Sequence, residues 1–183
     1  MNYYIVVEGQ KVEPLVYNKW ISYLNPRLKP ISNISEFYKD NYYIFPGNGY
    51  PSYFETINDA IQDVLNNPII DYLVIAIDSE DMTFEEKYQE MQDFVADYID
   101  KININIIVQH FCIETWALGN RLIIKRNPEN AQLRRYIKFF NVVTNDPELL
   151  PPIELGDLTR AQFVAKYLKR ALNDKYRNLS YSK

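Results

Sequence analysis

The chain has 183 residues, of which 47% are hydrophobic and 15% aromatic, so it can bury a core of ordinary size and is not disordered by composition. Its single cysteine excludes an internal disulfide framework and a zinc finger. The N-terminal sequence lacks the pattern of a signal peptide, and no apolar run approaches the roughly 18 residues of a membrane span. We therefore expect a soluble, cytoplasmic protein with no membrane partner.

The net charge of −4 conceals an asymmetry along the chain. Residues 1–120 carry 7 Lys+Arg against 18 Asp+Glu, a balance of −11, whereas residues 121–183 carry 13 against 6, a balance of +7. An acidic site beside a basic surface suits a metal enzyme that acts on a polyanion. An equally open interpretation is that solvated helix faces simply differ in charge.

The first predicted strand, Tyr3 to Val7, is an apolar run that ends on Glu8. Gly9 permits a sharp exit from the strand, and Pro14 fits the first turn of a helix. Residues 26–40 are polar and irregular, which indicates a surface connection. The helix before them is predicted from apolar residues at helical spacing, namely Leu15, Val16, Trp20, Tyr23 and Leu24.

A second strand is predicted at Tyr42 to Phe45, followed by a turn from Pro46 to Ser52 and a helix. A glycine-bearing turn before a helix can hold a phosphate on its backbone N–H groups. This turn lacks the third glycine of a dinucleotide fingerprint and the lysine of a P-loop, so a plain turn is favoured over nucleotide binding. The apolar face of the helix is predicted at Phe54, Ile57, Ile61, Val64 and Leu65.

The third strand organises the chain: six non-polar residues from Tyr72 to Ile77 stop on Asp78, with Glu80 and Asp81 directly after it. A continuous apolar run of this length is typical of a strand buried on both faces of a parallel sheet. A helix is predicted from Met82 to Lys101, with Phe84, Tyr88, Met91, Val95 and Tyr98 facing inward.

A fourth strand, Asn103 to Gln109, leads to His110 and the sequence FCIETW. Beyond Ala117 the chain is predicted to be helical at Ala131 to Val143 and at Thr159 to Tyr176, with one possible short strand at Leu122 to Ile124. Strands that alternate with helices indicate an α/β fold with a parallel sheet.

Acidic residues follow several of these strands, and the carboxyl ends of parallel strands are where open α/β sheets bind ligands. Two like charges about 4 Å apart repel by about 4 kcal/mol at an effective dielectric near 20, and a bound Mg²⁺ or Mn²⁺ removes that cost. The alternative is that each acid is solvated or caps a helix, which is at least as plausible for Asp81 and Glu13. The candidates are Glu8, Glu13, Asp78, Glu80, Asp81 and Glu114.

Three other residues attract attention. His110 is the only histidine and could act as a general base, although a structural role is favoured. Cys112 has no histidine at a persuasive spacing and is expected to pack as a small apolar residue. Trp116 is expected to lie in the core.

Two short motifs resemble the Toprim domain of topoisomerases, bacterial primases, OLD-family nucleases and small ribosomal-RNA maturation nucleases. They are V-V-E-G at Val6 to Gly9 and I-D-S-E at Ile77 to Glu80. The Toprim pattern has a Glu after the first strand and an Asp-x-Asp after the third. Glu8 and Asp78 match two of these positions, and Glu80 replaces the usual second Asp.

Two further segments resemble the RloB/AbiL-type branch of small Toprim-like proteins from bacterial phage-defence operons. They are E-G-Q-K-V-E-P from Glu8 and F-C-I-E-T-W from Phe111. Glu13 and Glu114 match the additional acids of that branch. Cys112 falls where OLD nucleases place a Ser, and Lys125 is a candidate for the Lys of that family.

The resemblance implies a Rossmann-like Toprim core over residues 1–125, with a four-stranded, mostly parallel sheet flanked by helices. A helical C-terminal extension over residues 126–183 is expected to pack on it. The implied activity is Mg²⁺- or Mn²⁺-dependent hydrolysis of DNA or RNA phosphodiesters, as an effector of anti-phage defence.

In this scheme the residues that bind metal are Glu8, Asp78, Glu80 and Glu114. Glu8, Asp78 and Glu80 hold one ion, while Glu13 and Glu114 complete a second or orient water. Lys11, Lys125, Arg126 or the basic tail would contact the nucleic-acid backbone.

Two other functions remain open from the sequence. The chain could be a catalytically weak interaction or regulatory module that partners an ATPase encoded nearby, and it could form a homodimer. It could also be a phosphotransfer or nucleotide-binding domain that uses the turn at residues 47–52.

Overall fold

The structure is a computed structural model that describes residues 1–49, 51–153 and 158–176. Four 3₁₀ turns, Ile34–Glu36, Ala96–Tyr98, Arg121–Ile123 and Pro147–Leu149, supplement its strands and helices. The strands and helices are β1 Tyr3–Val7, α1 Val12–Leu24, β2 Lys29–Pro30, β3 Asn41–Pro46, α2 Tyr53–Asn66, β4 Tyr72–Asp78, α3 Phe84–Val95, β5 Ile104–Gln109, α4 Ile113–Leu118, α5 Ala131–Phe139 and α6 Arg160–Lys175.

The strands form one sheet in the order β2-β3-β1-β4-β5, and the pairings of β1 with β3 and β4, and of β2 with β3, are parallel. Between β4 and β5, Leu73 N donates to Asn103 O and Ser79 N donates to Gln109 O. The pairing advances by the same number of residues on both strands, so this pair is parallel too. The predicted α/β class with a parallel sheet is confirmed.

The predicted count of four strands is wrong, because the described residues form five. The extra strand is β2, which lies within the stretch predicted to be an irregular connection. Lys29 N donates to Asp40 O and Ile31 N donates to Tyr42 O. A two-residue strand is too short to leave an alternating pattern in the sequence, and Pro30 fits only because β2 is at the edge of the sheet.

By its internal contacts the chain divides into two compact units. The first unit consists of Met1–Ile77 and Glu85–Val108, and the second of Asp78–Phe84 and Gln109–Lys183. The boundary predicted after residue 125 falls inside the second unit.

The first unit contains most of the sheet with α1, α2 and α3. One face of the sheet packs against α2 and α3, where Ile57 and Met91 are fully buried. The other face meets α1, whose Asn18 side chain accepts a hydrogen bond from Tyr42 OH. Helices on both faces explain why β4 is apolar without alternation.

Two details of α1 and α3 differ from the sequence prediction. Phe84, expected to face inward, is 45% exposed, whereas Lys87 is buried and forms an ion pair with Glu90. In α1 the buried residues are Glu13 and Tyr17, while Leu15 is 71% exposed. Apolar spacing therefore identified both helices, and in α3 it correctly placed Met91 and Val95 in the core, but it failed at Phe84 and Lys87 and at Leu15 of α1.

The second unit has its own core around Phe111, Leu133 and Tyr167. The predicted helix at Thr159–Tyr176 is confirmed as α6, which Thr159 caps through its side chain. The possible strand at Leu122–Ile124 is wrong: Arg121–Ile123 is a 3₁₀ turn capped by the Asn120 side chain. No helix among the described residues combines the length and hydropathy needed to cross a membrane.

Candidate functional site

Strands β1 and β4 end side by side at the carboxyl edge of the sheet. Val7 pairs with Ala76 in parallel register, so Glu8 follows the last paired residue of β1 and Asp78 is the final residue of β4. The chain leaves β1 towards β3 on one side and returns to β4 on the other. This reversal makes β1/β4 the topological switch point, where open α/β sheets bind ligands.

The turn after β1 is held by a buried carboxylate. Glu13 is only 4% exposed, and its Oε2 accepts a hydrogen bond of 3.1 Å from Gly9 N. Glu13 lies in the first turn of α1, where the helix dipole favours a negative charge. The glutamate therefore fixes the exit of the chain from β1, and Glu8, on that exit, is half-buried.

The turn between β3 and α2 packs directly against the end of β1. Gly47 N donates to Val7 O over 2.7 Å and Gly49 N donates to Glu8 O over 3.2 Å. Because these two N–H groups donate to backbone carbonyls of the first unit, they do not form the phosphate-binding turn that the glycine-rich sequence could have provided. Tyr50, also part of this predicted turn, lies outside the described residues.

Tyr53, at the start of α2, braces the two central strands. Its ring is fully buried, and its hydroxyl lies 3.1 Å from Val6 O and 2.6 Å from Ala76 O. The hydroxyl proton is shared between carbonyls of β1 and β4 close to the points where these strands end. The sequence analysis missed Tyr53, because a tyrosine beside Phe54 in a helix gives no sign of a polar role.

In the second unit, Asp78 is 6% exposed and is held by Gln109, the last residue of β5. Gln109 Nε2 donates to Asp78 Oδ1 over 2.9 Å, and Gln109 itself is fully buried. A hydrogen bond from a neutral amide fixes the carboxylate without neutralising it. In the sequence, Gln109 is recognisable only as the end of a strand, and nothing there marks this role.

Hydrogen bonds join the loop that follows β4 to the end of β5 and the loop after it. Ser79 N donates to Gln109 O, and Glu80 N donates to Phe111 O. Ser79 Oγ accepts from Phe111 N over 3.1 Å and lies 2.9 Å from His110 Nδ1. These contacts hold both loops in one arrangement.

Two residues of these loops have left-handed backbone conformations. Glu80 has φ +53° and Phe111 has φ +45°. This region is unfavourable for residues other than glycine, by about 1–3 kcal/mol each, and it persists only where the surrounding structure enforces it. Strain of this kind is concentrated at functional sites.

His110 is oriented by the same contacts. Its ring centroid lies 4.0 Å from that of Phe111, and its Nδ1 lies beside the buried hydroxyl of Ser79. The hydroxyl and Nδ1 form a hydrogen bond whose direction depends on the tautomer of the imidazole.

Glu80 and Asp81 interact with the start of α6. Thr159 Oγ1 donates to Glu80 Oε2 over 3.4 Å, and Arg160 N donates to Asp81 Oδ1 over 2.9 Å. Arg160 also forms an ion pair with Asp81, with Nε 3.4 Å from Oδ1. Negative charge at a helix N-terminus is stabilising, so the helix-capping interpretation of Asp81 is supported.

Glu114 is 2% exposed in the first turn of α4. Cys112, at the N-terminal end of this helix, is fully buried with Sγ 3.7 Å from Ala161 O, so its predicted packing role is confirmed. Trp116 is half-buried, and its Nε1 donates to Glu148 Oε1 over 2.9 Å.

The three basic residues predicted to contact nucleic acid differ in their surroundings. Lys125 Nζ lies 3.3 Å from Glu129 Oε1 and 3.7 Å from Asp174 Oδ2, so two carboxylates balance its charge. Lys11 and Arg126 are exposed and have no ion-pair partner within the described ranges. Lys125 therefore has a structural role of its own.

No group of three or more His, Cys, Asp or Glu side chains in the described part of the chain is arranged to hold a metal ion. Magnesium, however, is usually held by one or two carboxylates, several waters and substrate phosphates. The acids at the carboxyl edge offer only carboxylate oxygens, which suit Mg²⁺ or Mn²⁺ and not zinc. The four-residue metal set predicted from the sequence stays a prediction.

Comparisons of this chain with protein-family models, with curated proteins and with solved structures find no match.

Proposed function

We propose that this chain is a Toprim-type nuclease that hydrolyses phosphodiesters of DNA or RNA with Mg²⁺ or Mn²⁺, and that it serves as an effector in bacterial anti-phage defence. The proposal combines the resemblance of the motifs around Glu8 and Asp78 with the position of these residues in the sheet. It treats the carboxyl edge at β1/β4 as the reaction site.

One observation carries the proposal. The two strands at the topological switch point are adjacent and parallel; Asp78 is the last residue of β4, and Glu8 directly follows β1. Ligand sites in open α/β sheets lie outside the carboxyl ends of strands at this point. Asp78 is buried, and its Oδ1 accepts a hydrogen bond from Gln109 Nε2, so its carboxylate is held in one orientation at the end of β4.

The residues of the chain have separate roles in this proposal. Asp78 would bind the ion, and Gln109 keeps Asp78 in one orientation. The resemblance implies a metal-binding role for Glu8 as well. Glu13 fixes the turn that carries Glu8 through Gly9 N. The bound ion would activate water and stabilise charge on the phosphoryl group.

A catalytically weak module that partners an ATPase is the second candidate. It is favoured by the contact between Thr159 and Glu80, because this contact gives Glu80 a structural reason to be present. It is also favoured by the lack of a three-ligand group among the described residues.

Hydrolysis of bis(4-nitrophenyl) phosphate, together with cleavage of single- and double-stranded DNA and RNA, separates the two candidates. We expect activity with Mn²⁺ or Mg²⁺ that EDTA abolishes. Asp78→Asn should lower it by at least about a hundredfold. Asp59→Asn is the matched control, because Asp59 is exposed on α2 and far along the chain from every strand end.

Calorimetry with Mn²⁺ provides a readout besides activity. Wild type should bind the ion and Asp78→Asn should bind it at least about tenfold more weakly. Unchanged hydrolysis in Asp78→Asn would refute the assignment. A wild type that neither binds Mn²⁺ nor cleaves any of these substrates would favour the interaction module.

A further inference from the structure

Helices α5 and α6 of the second unit carry positive charge without any negative charge over most of their length. From Ala131 to Phe139 and from Arg160 to Asn173 there is no Asp or Glu. Helices α2 and α3, by contrast, are mostly acidic, with residues such as Asp59 and Glu86, although α3 also carries Lys87. The basic residues of the two helices are Arg134, Arg135, Lys138, Arg160, Lys166, Lys169 and Arg170.

On α6 the basic residues occupy the side opposite the core. Lys166, Lys169 and Arg170 are exposed, whereas Val164 and Tyr167 are buried. The three cations stand at helical spacings of three and four residues, so they are neighbours on one face. Like charges at this spacing destabilise a helix, so the pattern does not serve the stability of α6.

On α5 the arrangement is the same. Arg134, Arg135 and Lys138 are exposed, whereas Leu133 is buried and Tyr136 packs against Phe163 of α6 at 4.8 Å. We call the outward side of the two helices the basic face; it consists of Arg134, Arg135, Lys138, Lys166, Lys169 and Arg170.

The cations of the basic face are not neutralised by the protein. Within the described residues none of the six forms an ion pair, although Lys125 and Arg160 of the same unit do. Six exposed positive charges without local counter-charges attract a polyanion.

The basic face begins close to the loop that follows Asp78. Arg160, the first residue of α6, donates a backbone hydrogen bond to the Asp81 carboxylate and forms an ion pair with it through its side chain. At about 1.5 Å of rise per residue, Lys166 lies about 9 Å and Arg170 about 15 Å along the helix from Arg160. A polyanion that follows α6 therefore leads to the loop after β4.

We propose that the basic face binds the phosphate backbone of a nucleic acid and directs it along α6 to the loop that follows Asp78. This inference rests on the proposed function and names the surface that holds its substrate. A membrane surface is a poorer partner, because an interfacial helix needs a free apolar side and that of α6 lies in the core. Phosphate contacts confer no sequence preference, so single- and double-stranded probes should both bind.

Fluorescence anisotropy with labelled DNA and RNA in EDTA tests the surface without cleavage. The test variant is the triple charge reversal K166E/K169E/R170E. The control is K19E/R27E/K39E, which makes the same change of net charge at exposed residues of the first unit. We expect at least about a tenfold loss of affinity for the test variant and less than about threefold for the control.

Salt dependence supplies a second readout. Three lost phosphate contacts should reduce the slope of log K against log salt by up to about 2.7 for duplex DNA. Equal affinities and slopes for both triple variants would overturn the inference. Wild type that binds polyglutamate better than any nucleic acid would overturn it in favour of a protein partner.

The inference and the proposed function can fail separately. Hydrolysis of bis(4-nitrophenyl) phosphate by the wild type tests the reaction site alone, because that molecule is too short to span α6. Nucleic-acid binding that depends on the basic face, without hydrolysis, would leave the inference standing and remove the nuclease. Circular dichroism of both triple variants should show wild-type helix content, because every reversed side chain is exposed.

Discussion

Gln109 Nε2 donates a hydrogen bond of 2.9 Å to Asp78 Oδ1, and both side chains are buried where the adjacent strands β4 and β5 end. This hydrogen bond holds the carboxyl group of Asp78 in one orientation. The pair therefore links the stability of the sheet edge to the orientation of the acid on which the proposed function depends.

Gln109→Met should lower the free energy of unfolding by about 1–3 kcal/mol, because it leaves a buried carboxylate without its amide donor at nearly constant side-chain volume. Urea denaturation measures the change. Gln89→Met is the matched control, since Gln89 makes the same kind of bond to Asp93 on the exposed side of α3 and should change stability by less than about 0.5 kcal/mol. Equal effects of the two substitutions would contradict the role assigned to Gln109.

Gly47→Ala should be more damaging than Gly9→Ala, although both glycines lie in turns at the carboxyl edge. A Cβ on Gly47 would lie 2.5 Å from the Tyr53 ring, 2.8 Å from Glu8 O and 2.9 Å from Val7 O, and the two backbone oxygens cannot move aside. A Cβ on Gly9 would meet only the Glu13 side chain, at an ordinary 3.4 Å.

Overpacking at Gly47 should cost about 1–3 kcal/mol in thermal or urea unfolding, whereas Gly9→Ala should change stability by less than about 1 kcal/mol in either direction. A Gly47→Ala protein as stable as wild type would show that the β3–α2 turn does not pack against β1 as described.

The sheet could be predicted because its signal is local. The apolar run from Tyr72 to Ile77 needs helices on both faces of the sheet, and the order of strands and helices fixes the α/β class. Burial of particular helix residues could not be predicted in the same way. Lys87 is buried, and its ion pair with Glu90 makes that burial tolerable. Phe84 is exposed and is the first residue of α3. The apolar pattern predicts neither position.

The acids at strand ends could also be predicted, whereas their partners could not. Glu8 and Asp78 are identified by the strands they terminate. Gln109, Tyr53 and Ser79 form hydrogen bonds with residues that lie 23 to 47 positions away in the sequence. A single sequence does not show which distant residues come into contact. For Lys125, the carboxylate of Asp174 changes the expected role.

Lys125→Met should destabilise the protein, whereas Arg126→Met should not. Asp174 is a buried carboxylate whose Oδ1 accepts from Glu129 N and Asn130 N, and its Oδ2 has no hydrogen bond but lies 3.7 Å from Lys125 Nζ. Removing the lysine leaves a buried charge without its cation, at a cost of about 1–3 kcal/mol once the partial exposure of Lys125 is considered.

Urea unfolding of Lys125→Met and Arg126→Met, each of which loses one positive charge, measures the difference in their free energies of unfolding. The double variant Lys125→Met/Asp174→Asn should recover part of the loss, because the buried charge is then removed as well. Equal stability of the two single variants would instead favour a role for Lys125 at the surface.

Tyr167 should make the stability of the protein fall at alkaline pH. Burial raises the pKa of the Tyr167 hydroxyl to about 12, against about 10 in an unfolded chain. The folded state therefore holds its proton more tightly, so the stabilisation is complete below pH 10 and is lost as the pH rises through 12. Below pH 10, Tyr167→Phe should cost about 1 kcal/mol, because the hydroxyl donates to Phe140 O over 3.1 Å.

The stability gap between wild type and Tyr167→Phe should narrow between pH 10 and 12, because only the wild type has this hydroxyl to ionise. Urea midpoints at intervals of half a pH unit measure the narrowing. Tyr38→Phe is the control for the loss of one tyrosine hydroxyl, since Tyr38 is 83% exposed. A gap that stays constant to pH 12 would mean that Tyr167 ionises in the folded state as readily as in the unfolded chain, and that its hydroxyl is therefore open to water.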